Sequence, residues 1–376
     1  NSAAYVNLDG EAYGDGLLNG QPYAENFAND PVTVGGITDP IVKIKLKNGK
    51  ILFSSQYEIR IFASFSDPDV GVLASVNAEL LGLDTVADGT TMESSRPFNI
   101  IAAASGSDVV FGSVTNPAGP LYIAGSVLSD HQISLIEGPS TDLDLDWSAL
   151  LQTINGPIVL DLGENGFLKG DLIAGGNNGD VILTAQDTLT LNGHILADRN
   201  ILIEAGVIAA GSAGPESVTI APTAWLRTSS PSVIAQRIQI DGYNNVIING
   251  PIGSLQNDEP RMAGNVLIDS QNGDIVITAE SGWIETEGRI VLTADNIDIA
   301  GVIKNAGATA PAPAGDPIPG NYEVVIDASS SVTLTGDVDA LGSILITVPT
   351  SFTLAGSVEA GGIETFEFIT ETRGFI

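Results

Sequence analysis

The segment Asp142-Leu143-Asp144-Leu145-Asp146-Trp147 is where residue type and spacing most directly suggest chemistry. Successive side chains of a strand point to opposite faces, so Asp142, Asp144 and Asp146 share one face and Leu143, Leu145 and Trp147 the other. Three neighbouring carboxylates repel one another, and a hard cation with oxygen ligands, calcium first, relieves that repulsion. On a solvated edge the same row of charge keeps sheets from sticking together. Asp67-Pro68-Asp69 and Asp9-Gly10-Glu11 with Asp15 are acidic turns of the same kind. None completes an EF-hand loop or a calcium-binding nonapeptide. The expectation is a protein that requires no cofactor, with calcium at Asp142, Asp144 and Asp146 as the one candidate ligand.

Other chemistry has little material to work with. The chain holds two histidines and no cysteine, which removes thiol nucleophiles, disulfides and Cys-ligated zinc. His131 and His194 have no second His or Cys nearby in sequence, and strand alternation turns His194 outward. A glycosidase needs two carboxylates about 5 to 9.5 Å apart. Stacked coils of an acidic protein could supply such a pair, but no two residues stand out. GxSxG, Walker and dinucleotide fingerprints are missing from the sequence. The reading is therefore non-enzymatic, with no catalytic residue assigned and a carbohydrate-active enzyme as a distant alternative.

Forty-six acidic residues against fourteen basic ones give a formal charge of -32. That charge repels phosphate, so nucleic acid and anionic membrane surfaces are poor partners. Only 16% of residues are charged and 43% are hydrophobic, which is too apolar for a disordered acidic chain. No apolar run reaches the roughly 18 to 20 residues of a membrane span. The N-terminus lacks the basic and apolar regions of a signal peptide, so a secreted form would be the mature chain.

The elements that position these residues announce themselves as a repeat. Val332, Leu334, Gly336 and Val338 alternate with Thr333, Thr335 and Asp337. Twenty residues on, Phe352, Leu354, Gly356 and Val358 repeat the pattern. It recurs at Leu121 to Val127, Leu189 to Ile195, Val246 to Ile252 and Ile297 to Ile303. A second short strand precedes several copies: Val181 and Leu183, Val324 and Ile326, Ile344 and Ile346. Period-2 alternation with β-branched residues, and turn residues such as Asn178-Gly179-Asp180 and Asn272-Gly273-Asp274 ahead of strands, read as strand, turn, strand. Coils of about 20 residues with apolar residues on one side predict an all-β fold, a parallel β-helix whose coils pair at the strand spacing of about 4.8 Å. The repeated glycine falls at an inward position by parity, where the chain bends at a corner. An antiparallel sandwich is the competing architecture, and the recurring spacing argues against it.

Residues 1–95 read as a β-rich N-terminal cap or small domain, with a hairpin around Asn48-Gly49 and an extended N-terminal strand available for pairing. Residues 96–376 read as the β-helix, with a Pro-rich loop insertion near 308–321 and a second insertion at Gln256 to Ala263.

The strings GDVILTAQDTLTLNGHI from Gly179 and RIVLTADNIDIAGVI from Arg289 resemble the haemagglutinin-type repeats of the filamentous haemagglutinin group of secreted bacterial adhesins. The resemblance covers about residues 100 to 365 and is one of pattern. The group's N-terminal secretion domain carries an Asn-Pro-Asn-Gly turn, where this chain has Asn116-Pro117-Ala118-Gly119. What the resemblance implies is a right-handed parallel β-helix, an extracellular location on a bacterium, and a role in attachment to a glycan or cell-surface ligand or as a stiff spacer.

The chain ends suggest a further partner, a second copy of the protein or a neighbouring surface protein. Phe366, Phe368 and Phe375 give the C-terminus an apolar, strand-forming character without a blunting proline. Tyr5 and Val6 lie in a Gly- and Tyr-rich N-terminal segment suited to adding a strand to another sheet edge. Joining one to the other head to tail would build a filament or surface layer.

Overall fold

The computed structural model describes residues 126–147, 149–206, 216–229, 237–253, 264–307 and 322–361, with shorter pieces between 6 and 124 and at 367–369. Among the described residues every regular element is a strand, so no helix is long and apolar enough to cross a membrane. The chain forms two compact units, residues 1–184 and 185–376.

Three ladders of parallel strands build the first unit, and the chain visits them in turn. The first ladder stacks Lys50–Phe53, Asp108–Phe111, Ile133–Ile136, Ile158–Asp161 and the strand that opens at Val181. The second stacks Ile59–Phe62, Leu121–Ala124, Leu143–Leu145 and Asn165–Leu168. The third stacks Asn99–Ala102, Ser126–Ser129, Leu150–Thr153 and Asp171–Ala174. Strand, corner, strand, corner, strand is one coil, and the arrangement is consistent with a parallel β-helix.

Register explains why this holds. Ile133 pairs with Ile158 and Ile158 with Val181, while Leu135 pairs with Leu160 and Leu160 with Leu183. All six side chains are buried, so like sits on like down the inward face. Burying each aliphatic side chain contributes roughly 1.5 to 3 kcal/mol. A slip of one residue would turn the whole row to water, which fixes the register.

The ladder reaches upstream of residue 96. Lys50–Phe53 and Ile59–Phe62 join the first and second ladders in parallel, so Lys50 to Phe53 pairs with the next coil. The other arm of the hairpin expected around Asn48-Gly49 lies outside the described residues, as do the insertions at 308–321 and 256–263. Among the described residues of this region two pairings are antiparallel, Val6–Leu8 with Glu11–Tyr13 and Ile59–Phe62 with Ser75–Val76.

The second unit repeats the scheme. Its third ladder runs His194–Ala197, Trp225–Thr228, Pro251–Gly253, Trp283–Thr286, Val302–Asn305, Asp337–Ala340 and Ser357–Ala360. The strands Ile290–Ile299 and Tyr322–Leu334 are long because each rounds a corner and serves two ladders. Val332 pairs with Phe352 and Leu334 with Leu354, the stacking expected from the twenty-residue repeat. Val332 and Leu334 are buried, but Phe352 is half-buried and Leu354 exposed. Among the described residues no further strand pairs with Ser351–Leu354.

The twenty-residue period is itself local. Ser357 bonds Asp337 across 20 residues, while the corresponding cross-coil bonds span 22 for Asn296 to Asp274, 25 for Lys169 to Asp144 and 35 for Ser331 to Asn296. Pairing constrains the strands alone, and corners on the surface accept extra residues at little cost.

Corners are held by two devices. Side chains at the ends of third-ladder strands turn inward and bond corner carbonyls: Ser129 Oγ to Gln132 O, Thr153 Oγ1 to Gly156 O, Thr286 Oγ1 to Gly264 O, and Asn305 Nδ2 to Gly288 O. A polar ladder climbs a corner of the second unit. Asn245 Oδ1 accepts from Asp274 N at 2.8 Å, Asp274 Oδ1 from Asn296 Nδ2 at 2.7 Å, and Asn296 Oδ1 from Ser331 Oγ at 2.6 Å. Each bond satisfies a group that coil stacking would otherwise bury unpaired.

Candidate functional site

The strand Leu143–Leu145 puts Leu143 and Leu145 in the core of the first unit, with Asp144 outward between them. Trp147, expected on the same face as Leu143 and Leu145, is 61% exposed. The strand ends at Leu145 and the backbone turns, with Ala149 N bonding Asp146 O at 2.9 Å, so alternation no longer applies at Trp147.

The three aspartates have distinct partners. Asp142 Oδ1 accepts from both the backbone N and the Nδ2 of Asn165 on the next coil, each at 3.1 Å. Asp144 is paired with Lys169 Nζ, at 3.0 Å to Oδ1 and 3.3 Å to Oδ2. Asp146 anchors through its backbone, donating from N to Ile123 O at 2.8 Å. Cross-coil stacking thus supplies a donor for Asp142 and a cation for Asp144. Among the described residues no three His, Cys, Asp or Glu side chains come together in the manner of a metal site.

Beside this row lies a titratable group that the motif search passed over. Glu137 follows Ile133 and Leu135 at the same parity, and its side chain goes the same way, leaving the residue 6% exposed. The signal was present in the sequence as a carboxylate continuing an inward aliphatic row. Glu137 Oε2 accepts from Gly163 N at 3.2 Å, while Oε1 is buried without a hydrogen-bond partner. Burial pushes its pKa up to about 8; the Gly163 bond opposes this, and Asp142 and Asp161 add repulsion. A raised carboxyl with other carboxyls nearby is the electrostatic pattern of a glycosidase general acid. Here the carboxyl is enclosed by its own corner, away from the surface where a glycosidic oxygen would arrive.

No protein-family model, no curated protein and no solved structure matches this chain. Its site is known by its own geometry.

In the second unit the outward side of the first ladder carries an acidic row, Glu204, Asp241 and Asp269, on three consecutive strands. Burial raises the pKa of both Asp241 and Asp269; Gln239 Nε2, donating to Asp241 Oδ2 at 2.6 Å, opposes the rise at Asp241. A buried polar corner sits nearby in sequence: Arg289 Nε donates to Tyr322 O and Arg289 N to Asn265 Oδ1, both at 2.8 Å. Burial lowers the Arg289 pKa, and Glu323 holds it up. Glu285 is buried with Lys304 Nζ 3.8 Å away.

The histidines sit on outward faces. His131 Nδ1 lies 2.7 Å from Asp108 Oδ1, and His194 stacks on Trp225 with ring centroids 4.8 Å apart. Of the residues expected to mediate self-association, Val6 pairs with Tyr13 and Phe368 with Ile346. Tyr5, Phe366 and Phe375 lie outside the described residues.

Proposed function

We propose that this protein is a non-enzymatic β-helical protein of the bacterial exterior, secreted or held at the cell surface, serving attachment to a glycan or cell-surface ligand or acting as a stiff structural element. The observation that carries the reading is the in-register stack: each coil is gripped by its neighbours through aliphatic rows inside and side-chain bonds at the corners. Within each unit such stacking gives outward rows that repeat at the strand spacing, a form suited to presenting a surface. Electron microscopy of the purified protein should show discrete particles and no filaments, with and without calcium. Incubation with a panel of acidic and neutral polysaccharides should release no reducing ends or unsaturated sugars; turnover abolished by one carboxylate substitution would establish the carbohydrate-active reading instead.

A self-assembling filament or surface layer is the second reading, favoured by the 48% exposure of Leu354 on the strand Ser351–Leu354. Such an edge can accept a strand from another chain. On this reading the intact chain runs as high-mass species in size-exclusion chromatography and deletion of residues 1–25 abolishes them. A monomer at high concentration leaves the attachment or spacer reading alone.

Calcium enters as a ligand of the acidic rows, Asp142, Asp144 and Asp146 among them. At a charge of -32 the folded chain is strained by self-repulsion that a divalent cation relieves. Millimolar calcium should raise the melting temperature by more than sodium does at equal ionic strength. Equal effects of the two ions would reduce calcium's part to screening.

A further inference from the structure

We propose that the corner formed by Glu137 to Asp142 and Asp161 to Gly163 is a proton-operated latch, held closed by a neutral Glu137 carboxyl and loosened when that carboxyl ionises. The proposal rests on four observations.

Glu137 is enclosed, with one carboxyl oxygen bonded to Gly163 N and the other buried without a partner. Charges face it from both sides of the corner, Asp142 on its own coil and Asp161 on the next, and both are acidic. Of the other charged groups here, Asp108 pairs with His131 and Asp144 with Lys169, and Glu164, next to Gly163, is exposed; Asp142 and Asp161 accept only from neutral donors, Asn165 and Thr184. The corner also has no slack. A Cβ on Gly163 would lie 2.0 Å from Gly138 O and 2.6 Å from Thr141 O and Oγ1, while Thr141 Oγ1 donates to Gly138 O at 2.6 Å and Glu164 N to Thr141 O at 2.7 Å. An ionised Glu137 therefore meets two like charges and an unfilled acceptor position beside a backbone contact, Gly163 on Gly138, that has no room to shift. Opening the corner to water is the remaining way to accommodate the charge.

The direction of the pH dependence follows. Glu137 has its pKa raised from 4.5 to about 8 in the folded protein, so the folded state binds the proton more tightly than the opened one. The stabilisation is fully present below the ordinary carboxyl pKa, is lost progressively as pH rises through about 8, and changes no further above that.

Amide hydrogen exchange of the full chain, corrected for intrinsic rates and compared at pH 6.5 and 9.5, tests this. Protection over residues 137–143 and 161–165 should fall by about thirtyfold in the native protein, the ratio that linkage between those two pKa values gives. Glu137→Gln, which reproduces the neutral carboxyl in shape, should hold its protection across the same interval. Asp142→Asn, which removes one repelling charge, should show a smaller fall. Equal losses in the native protein and in Glu137→Gln would overturn the latch, as would a uniform loss over the whole unit in all three proteins.

Discussion

Gly336→Ala should destabilise the second unit by roughly 3 kcal/mol, the upper part of the usual cost of overpacking. A Cβ built on Gly336 lies 1.9 Å from Gly301 O and 2.6 Å from Ala300 C and O, all backbone atoms of the coil below. Those atoms cannot swing away, because Gly301 O accepts the Asp337 amide at 3.0 Å and continues the ladder. Gly356 repeats the situation against Gly336 O, with Ser357 N donating to that oxygen at 3.1 Å. The backbone angle at these corners is ordinary; the missing side chain is what lets coils stack at the strand spacing. For a unit of this size the loss corresponds to a fall in melting temperature of roughly 6 to 12 °C. Gly361→Ala is the control, since its added Cβ meets nothing closer than 3.5 Å, and it should shift stability by less than about 0.5 kcal/mol. Equal effects of the two substitutions would mean that the corner glycines serve backbone freedom and not close approach.

Leu334→Ala should cost about 2 to 5 kcal/mol, while the same change at its stacked neighbour, Leu354→Ala, should cost about 1 kcal/mol or less. The residues are identical in type, occupy the same position in the repeat and pair with each other directly. They differ in what lies beyond them. Leu334 is fully buried between Ile299 and Leu354, and its truncation leaves a cavity lined on both sides. Leu354 is 48% exposed, so water already reaches it and fills the space its truncation opens. Urea denaturation with an unchanged slope measures both. A Leu354 effect as large as that of Leu334 would show that another chain or segment covers this edge in solution, which favours the assembling form of the protein.

Much of the fold was legible because a β-helix writes its period twice, in the alternation within each strand and in the recurrence between coils. Val332, Leu334, Phe352 and Leu354 show both, and their predicted pairing is the observed one. The Asp142 row was legible as a row, since Leu143 and Leu145 fixed the parity. Its partners were not, because Asn165 and Lys169 lie 23 and 25 residues away, a separation that only the length of the intervening corners sets. The twenty-residue spacing misled where corners lengthen, and it gave no warning that the strand rule stops before Trp147.

Parity, recurrence and composition by themselves determined the strand class, the parallel stacking, the inward aliphatic rows and the exclusion of thiol chemistry, because these depend on alternation within a strand, on repetition of the pattern and on which side chains exist at all. Only the tertiary structure decided how the corners close. The place where Glu137 loses its water and meets Asp161, the carbonyl that forbids a side chain at Gly336, and the partner that neutralises Asp144 each join residues twenty or more positions apart. Such distances are set by how many residues each corner happens to contain, and strand periodicity carries no record of that number.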